Sequence, residues 1–179
     1  MRDAEGGIKT TENQNFRGSL VSLLPALRGF ARFLTHDPVR ADDLVQETIV
    51  RALAAQDQFT EGTSQKAWMF TILRNLFFEQ VRRHRREAEV MDEAEAGISL
   101  SHAPRAVIQD DIRDLDRMLR DLPPRMREAL ILVAAQGMSC EEVALITGVA
   151  VGTVKARVSR ARRLLSEQRA AGGVPSGVA

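Results

Sequence analysis

A single cysteine, Cys140, in 179 residues leaves no internal disulfide to form and too few thiols for a cysteine-only zinc site, which points to a reducing compartment. Apolar runs are short, and none approaches the roughly 18 residues that a bilayer-spanning helix needs. The opening MRDAEGGIKTTENQN is polar and mixed in charge, unlike a signal peptide, so a soluble cytoplasmic protein with no membrane insertion is expected. Aromatic residues are only 4% of the chain and tyrosine is absent, which argues against a β-rich core. Histidine is equally sparse: His36, His84 and His102 are scattered, and with Cys140 they give no metal-ligand spacing. No glycine-rich phosphate loop or catalytic constellation occurs either. The chain is therefore expected to act by binding, not as an enzyme, and with neither metal nor cofactor.

What is present is segregated charge. The formal net charge is only +1, yet RRHRR (82 to 86) and residues 155 to 163 are basic, while EAEVMDEAE (87 to 95) holds five acids and no base. Such separation points to a polyanionic partner more than the net value does.

Apolar residues recur at helical spacing almost throughout, so the fold class is read as all-α. A first helical region, Phe16 to Leu34, is interrupted near Pro25, which suits either a first turn or a kink. The next helix has an N-cap candidate in Asp37 and a proline, Pro38, at its first position. DQFTEGTSQ is a loop marked by Gly62, and KAWMFTILRNLFFEQVRRHRR is a third long helix. Residues 87 to 109 lose the periodicity and gather acids, as expected of a flexible linker that is either a solvated spacer or a segment with its own role. DDIRDLDRMLRDL forms a helix that Pro123-Pro124 breaks, and RMREALILVAAQ follows and ends at Gly137. The expected organisation is two small helical domains, 16 to 86 and 110 to 168, between a disordered extension (1 to 15) and a flexible tail (169 to 179).

Beyond Gly137, Ser139 and Glu142 have capping-box spacing, Gly148 supplies a tight turn, and a longer helix starts near Val151, the plan of a helix-turn-helix. On that last helix Val151, Val154, Val158, Ala161 and Leu165 share one face. Lys155, Ser159, Arg162 and Arg163 share the other, with Ala156 at its margin and Arg157 and Arg160 at the flanks. Long cations beside small residues suit entry into a major groove. An ordinary solvated face would mix acids with its bases, and none occurs between residues 143 and 166.

Two stretches of the first half need a separate explanation. Ala41, Leu44, Val45, Thr48, Ile49 and Ala52 make a buried face, leaving Asp43, Gln46, Glu47 and Val50 together on the other. This is either a docking surface for a basic protein or a set of acids that oppose the helix dipole. On the third helix Thr71, Asn75, Phe78 and Arg82 line up along a stripe that combines hydrogen bonding, a ring and a cation, the chemistry that holds an unstacked base beside a phosphate. Trp68 is open to a core role or a stacking one.

RADDLVQETIVRALA, AWMFTILRNLFFEQVRRHRR, LPPRMREALILVAAQGMSCEEVALITGV and VGTVKARVSRARRLL, in this order, resemble the extracytoplasmic-function sigma factors of bacteria over nearly all of residues 16 to 167. The resemblance implies a sigma factor that binds core RNA polymerase and directs it to promoter DNA. Asp43, Gln46, Glu47 and Val50 would meet the clamp-helix coiled coil of the polymerase. The loop Phe59 to Gln65, with Asn75 beneath it and Thr71, Phe78 and Arg82 alongside, would take a base flipped from the minus-ten element. Lys155, Ala156, Ser159 and Arg160, with Thr153 and Arg163, would read the minus-thirty-five element. The acidic linker would thread the RNA-exit path, its carboxylates imitating phosphates. LLPALRGFARFLT, RADDLVQETIVRA and EGTSQKAWMFTILRN are similar to the general-stress-response subgroup, whose members are held inactive by a small helical anti-sigma protein. The competing expectations are a stand-alone helix-turn-helix regulator and a sigma-like decoy for such an anti-sigma protein.

Overall fold

A computed structural model describes residues 3 to 60, 62 to 91 and 117 to 171, which contain helices and no strand. Two compact units result, Met1–Ala103 and Pro104–Ala179.

The first unit is built on α1 (Asp3–Thr35), α2 (Pro38–Ala54) and α3 (Gln65–Met91), each packed against the other two. Its centre is Leu27, Phe30, Leu44, Phe70 and Leu73, all fully buried, with the rings of Phe30 and Phe70 stacked at 5.2 Å. Asp37 caps α2 as its sequence predicts: Oδ1 accepts from the N–H groups of Val39 and Arg40 at 2.8 and 3.0 Å, and Pro38 occupies the first turn. The turn before it places His36 at φ 53°, and Thr35 Oγ1 donates to the Asp37 carbonyl at 2.8 Å. Ser64 Oγ receives the Ala67 N–H at the start of α3.

Three boundaries of the first unit differ from expectation. Pro25 sits inside α1, neither in a first turn nor at a break. It removes the hydrogen bond to the carbonyl of residue 21, and because Val21, Ser22 and Pro25 are all exposed, water can take that carbonyl's free valence. The same helix begins at Asp3, within the stretch expected to be a disordered extension: once Phe16 and Leu20 are packed, each preceding residue adds a hydrogen bond without a new nucleus. Likewise α3 runs to Met91, past the expected linker start, because no glycine or proline lies between Gly62 and Gly97 and Arg83 pairs with Glu87 one turn on at 3.6 Å. The rest of the linker, 92 to 109, and most of the helix expected from 110 lie outside the described residues.

In the second unit residues 117 to 121 are helical and lead through Pro123 into α4 (Pro124–Leu130), which continues as a wider π turn over Ile131–Ala135. After Gly137, at φ 63°, come α5 (Cys140–Thr147) and α6 (Val151–Ala171). Helix α6 passes the expected tail boundary at 169 and packs on both α4 and α5. The core is Leu122, Leu132, Met138, Val143, Ile146, Val154, Val158 and Ala161. Ser139 Oγ accepts from Glu142 N–H at 3.1 Å while Glu142 Oε2 accepts from Ser139 N–H at 2.9 Å, a closed capping box. Gly148 ends α5 at φ 67°, a left-handed conformation that a β-carbon would strain.

Ser139→Ala leaves one N–H of α5 without its acceptor and is expected to cost about 1 kcal/mol. A lower urea midpoint with an unchanged slope, followed by circular dichroism, checks it.

Candidate nucleic-acid interface

Helix α6 presents the basic face outward. Val154, Val158 and Ala161 are buried, which leaves Thr153, Lys155, Ala156, Ser159, Arg160, Arg162 and Arg163 exposed and Arg157 half-buried at the flank. Lys155 Nζ lies 3.9 Å from Glu141 Oε1, and Arg163 Nε lies 3.5 Å from Glu167 Oε1. All four of these side chains are more than half exposed, so both pairs are held weakly and can exchange for a phosphate or a base. The backbone N–H of Thr153 bonds to Ala150 O at 2.9 Å, within the first turn.

On α2 the described faces match the expected division. Ala41, Leu44, Val45, Thr48 and Ala52 are buried and Ile49 is half-buried, while Asp43, Gln46 and Val50 are exposed, Val50 at 66%. Glu47 differs from its neighbours in being tethered. Its Oε1 accepts from Arg51 at 3.0 Å and its Oε2 from Gln80 Nε2 of α3 at 3.1 Å. Arg51 reaches Glu79 of α3 as well, at 2.9 Å, so one guanidinium joins a carboxylate on each helix. The hydrogen bond to Glu79 raises the Arg51 pKa above its ordinary value; partial burial opposes this, and the charges of Glu79 and Glu47 add to it. One member of the acidic face, Glu47, is thus oriented from two helices.

The stripe on α3 is graded in exposure. Thr71 is half-buried and donates to Ala67 O at 2.8 Å, Asn75 and Arg82 are exposed, and Phe78 is half-buried. Sequence reasoning missed Arg74, whose guanidinium lies over the Phe78 ring at 4.7 Å, one helical turn away and so readable from spacing. It also missed the pairing of Arg51 with Glu79, which has no local signature. Trp68 is half-buried, with its ring 6.0 Å from Phe16 and 5.4 Å from Phe59. This aromatic cluster, with a 3.1 Å bond from Gln65 Nε2 to Phe16 O, ties both ends of the 59 to 65 loop to α1.

Among the described residues no helix is long and apolar enough to cross a membrane.

Residues 20–87 match the family model of Sigma-70 region 2, and residues 112–165 that of Sigma-70, region 4. The ECF RNA polymerase sigma factor EcfG of Rhodopseudomonas palustris is 47% identical over 152 residues, covering 85% of this chain and 83% of that protein. The ECF RNA polymerase sigma factor SigC of Mycobacterium tuberculosis is 32% identical over 164 residues, 92% and 82% of the two chains. Among solved structures, the sigma factor RpoE of Bartonella quintana, in complex with the anti-sigma factor NepR, superposes with a TM-score of 0.71 at 44% identity. That match covers 86% of this chain and 96% of the other.

Replacing Arg51 by Ala removes two exposed ion pairs and is expected to destabilise by less than about 1 kcal/mol, a difference that shrinks in high salt. Urea unfolding in low and high sodium chloride measures both effects.

Proposed function

The chain belongs to the extracytoplasmic-function RNA polymerase sigma factors, proteins that act by binding and direct promoter-specific transcription initiation, and from that membership we propose how its surfaces divide the work. Asp43, Gln46, Glu47 and Val50 dock on the clamp-helix coiled coil of core polymerase. Arg51 and Gln80 hold Glu47 in place for a cationic partner. Thr71, Asn75, Phe78 and Arg82, beside the 59 to 65 loop, receive an unpaired base of the minus-ten element, with Arg74 backing the ring. Thr153, Lys155, Ala156, Ser159, Arg160 and Arg163 read the minus-thirty-five element. Residues 16 to 86 and 110 to 168 serve as the two functional domains, joined by the acidic linker 87 to 109, and the protein works in the cytoplasm with the polymerase.

The observation that carries this reading is that α6 buries three small apolar residues and exposes a cationic face on which small residues, Ala156 and Ser159, alternate with long ones. Small residues let the helix approach the floor of a major groove, and the cations beside them supply both phosphate and base contacts. Strand opening on α3 draws on binding energy alone, with unstacking costing on the order of a few kcal/mol per base.

We further infer that the chain serves a general stress response and is held by a small helical anti-sigma protein. Identity to EcfG and to an RpoE solved with NepR supports this.

Transcription with purified core polymerase tests the division of labour. Lys155→Ala and Arg160→Ala should each cost about 1–3 kcal/mol in promoter binding if they touch bases, and the pair should abolish promoter use. A decoy that only sequesters an anti-sigma protein would be unaffected. Asp43→Arg with Glu47→Arg should lose core polymerase in a pull-down while α6 still binds DNA; retention of polymerase would refute the docking assignment.

A further inference from the structure

Three rings from three segments meet where the 59 to 65 loop enters α3. Phe16 of α1 lies 5.8 Å from Phe59 and, edge-on, 6.0 Å from Trp68, and Phe59 and Trp68 close the triangle at 5.4 Å. The Phe16 carbonyl also accepts a hydrogen bond from Gln65 Nε2 at 3.1 Å. One residue of α1 therefore holds the loop at its first residue, through Phe59, and at its last, through Gln65. Between these anchors the loop folds on itself. Thr63 Oγ1 and the Thr63 N–H both donate to the Thr60 carbonyl, at 2.6 and 3.2 Å, and Gly62 takes φ 81°. Such local bonds shape a turn without orienting it on the body, which is the work of the anchors. Trp68 in addition heads the stripe of α3, since Thr71 and Asn75 follow it at three and seven residues on the same side of the helix. Thr60, Gly62 and Thr63 are exposed at the tip, whereas Phe16 is only 7% exposed. Phe16 precedes residues 20–87, which match Sigma-70 region 2.

We propose that Phe16 is a positioning residue for base selection: it fixes the spacing between the loop tip and Asn75, and so the width of the space an unpaired base enters, without touching DNA. This role rests on the reading of the loop and the α3 stripe as the minus-ten site. The place of Phe16 between the two walls of that site carries the proposal. One wall is the loop and the other is the stripe, and the Phe16 ring contacts the first residue of each, Phe59 and Trp68. A buried ring packed among other rings is held in one orientation, so it transmits a set spacing where a flexible side chain would not. Base selection depends on such a spacing, because a hydrogen bond to a base edge weakens outside a donor–acceptor distance of about 2.7–3.2 Å. A loop displaced by about 1 Å can still admit a base, yet it no longer distinguishes one base from another.

The test uses the full chain with core polymerase and labelled single-stranded oligonucleotides spanning the minus-ten region of a promoter mapped from its transcription starts, each position varied through the four bases. Phe16→Leu keeps an apolar side chain at the buried site but removes the ring, and Phe16→Ala removes more. Trp68 is the only tryptophan and the chain has no tyrosine, so emission of the free chain reports the cluster. Both variants should raise acrylamide quenching of that emission. By anisotropy, affinity for the preferred base should fall about tenfold relative to the other three, the size of one lost base-edge contact, while the weakest strands bind as before. Phe59→Leu should give the same loss, and joining it to Phe16→Leu should add nothing, because both break one contact. If Phe16→Ala does not fold, Phe16→Leu carries the comparison. Equal weakening on all strands with the preference intact would mark Phe16 as a packing residue only and overturn the proposal, as would additive losses in the double variant or quenching that neither variant changes. If Asn75→Ala abolishes the preference while the Phe16 variants, with the cluster opened, retain it, the proposal is wrong although the reading of the minus-ten site stands. If the unaltered chain shows no preference at any position, or Asn75→Ala keeps it in full, that reading fails and the proposal with it.

Discussion

Burial of Val154, Val158 and Ala161 against α4 and α5 fixes the rotation of α6 about its own axis, and what the second unit can offer to DNA follows from that rotation. Residues at steps of three and four share a side of a helix, so once these three are inside, Lys155, Ala156, Ser159 and Arg160 must be outside. A slip of one residue would carry a cation inward, where an unpaired charge is far more expensive than any surface contact could repay. The capping box of Ser139 and Glu142 and the left-handed Gly148 set where α5 starts and stops, and so at what point the chain can turn into α6. The outward placement of the basic face thus depends on an apolar seam and two local backbone devices.

The first unit solves a different problem, that of keeping surfaces of opposite charge on one small body. Acids gather on α2, while α3 carries four arginines between residues 82 and 86, and the two helices pack side by side. Arg51 is placed where these fields meet. By bonding to Glu79 and Glu47 it offsets the charge of a carboxylate one residue from Phe78. The same bonds leave Glu47 oriented while Asp43, Gln46 and Val50 remain exposed. An arginine with two acidic partners can yield one to an incoming cation and keep the other, so docking there need not leave Arg51 unpaired.

The helical class, the faces of α2 and α6, the Asp37 cap and the capping box were legible because each depends on residues within one or two turns of each other. Helix lengths were less so. Pro25 suggested an interruption, yet a proline on the wet side of a packed helix costs only one hydrogen bond that water can replace, and the polar start of the chain gave no sign that the packing of Phe16 would extend α1 back to Asp3. Acidic residues after Arg86 suggested a linker, but glutamate and alanine are good helix formers, and Glu87 finds Arg83 one turn back. Contacts between elements were not legible. Neither the Arg51 and Glu79 pair, 28 residues apart, nor the bond from Gln65 to the Phe16 carbonyl, 49 apart, has a sequence pattern, because each exists only after three helices have packed. Trp68 was undecided for the same reason, since its partners Phe16 and Phe59 belong to other segments.

Pairing on the basic face of α6 is weak. Lys155 stands 3.9 Å from Glu141, with both side chains about two-thirds exposed, so their attraction is largely screened and lies at the low end of surface ion pairs. A stronger, buried pair would hold Lys155 away from DNA and would have to be broken at a cost of several kcal/mol. The observed pair restrains the lysine while its carboxylate remains open to water. When a phosphate or a guanine edge approaches, Lys155 can turn to it and Glu141 is simply rehydrated. Arg163 and Glu167 repeat the arrangement two turns further along α6. The few acids beside this face, Glu141 and Glu167, thus restrain its cations only weakly.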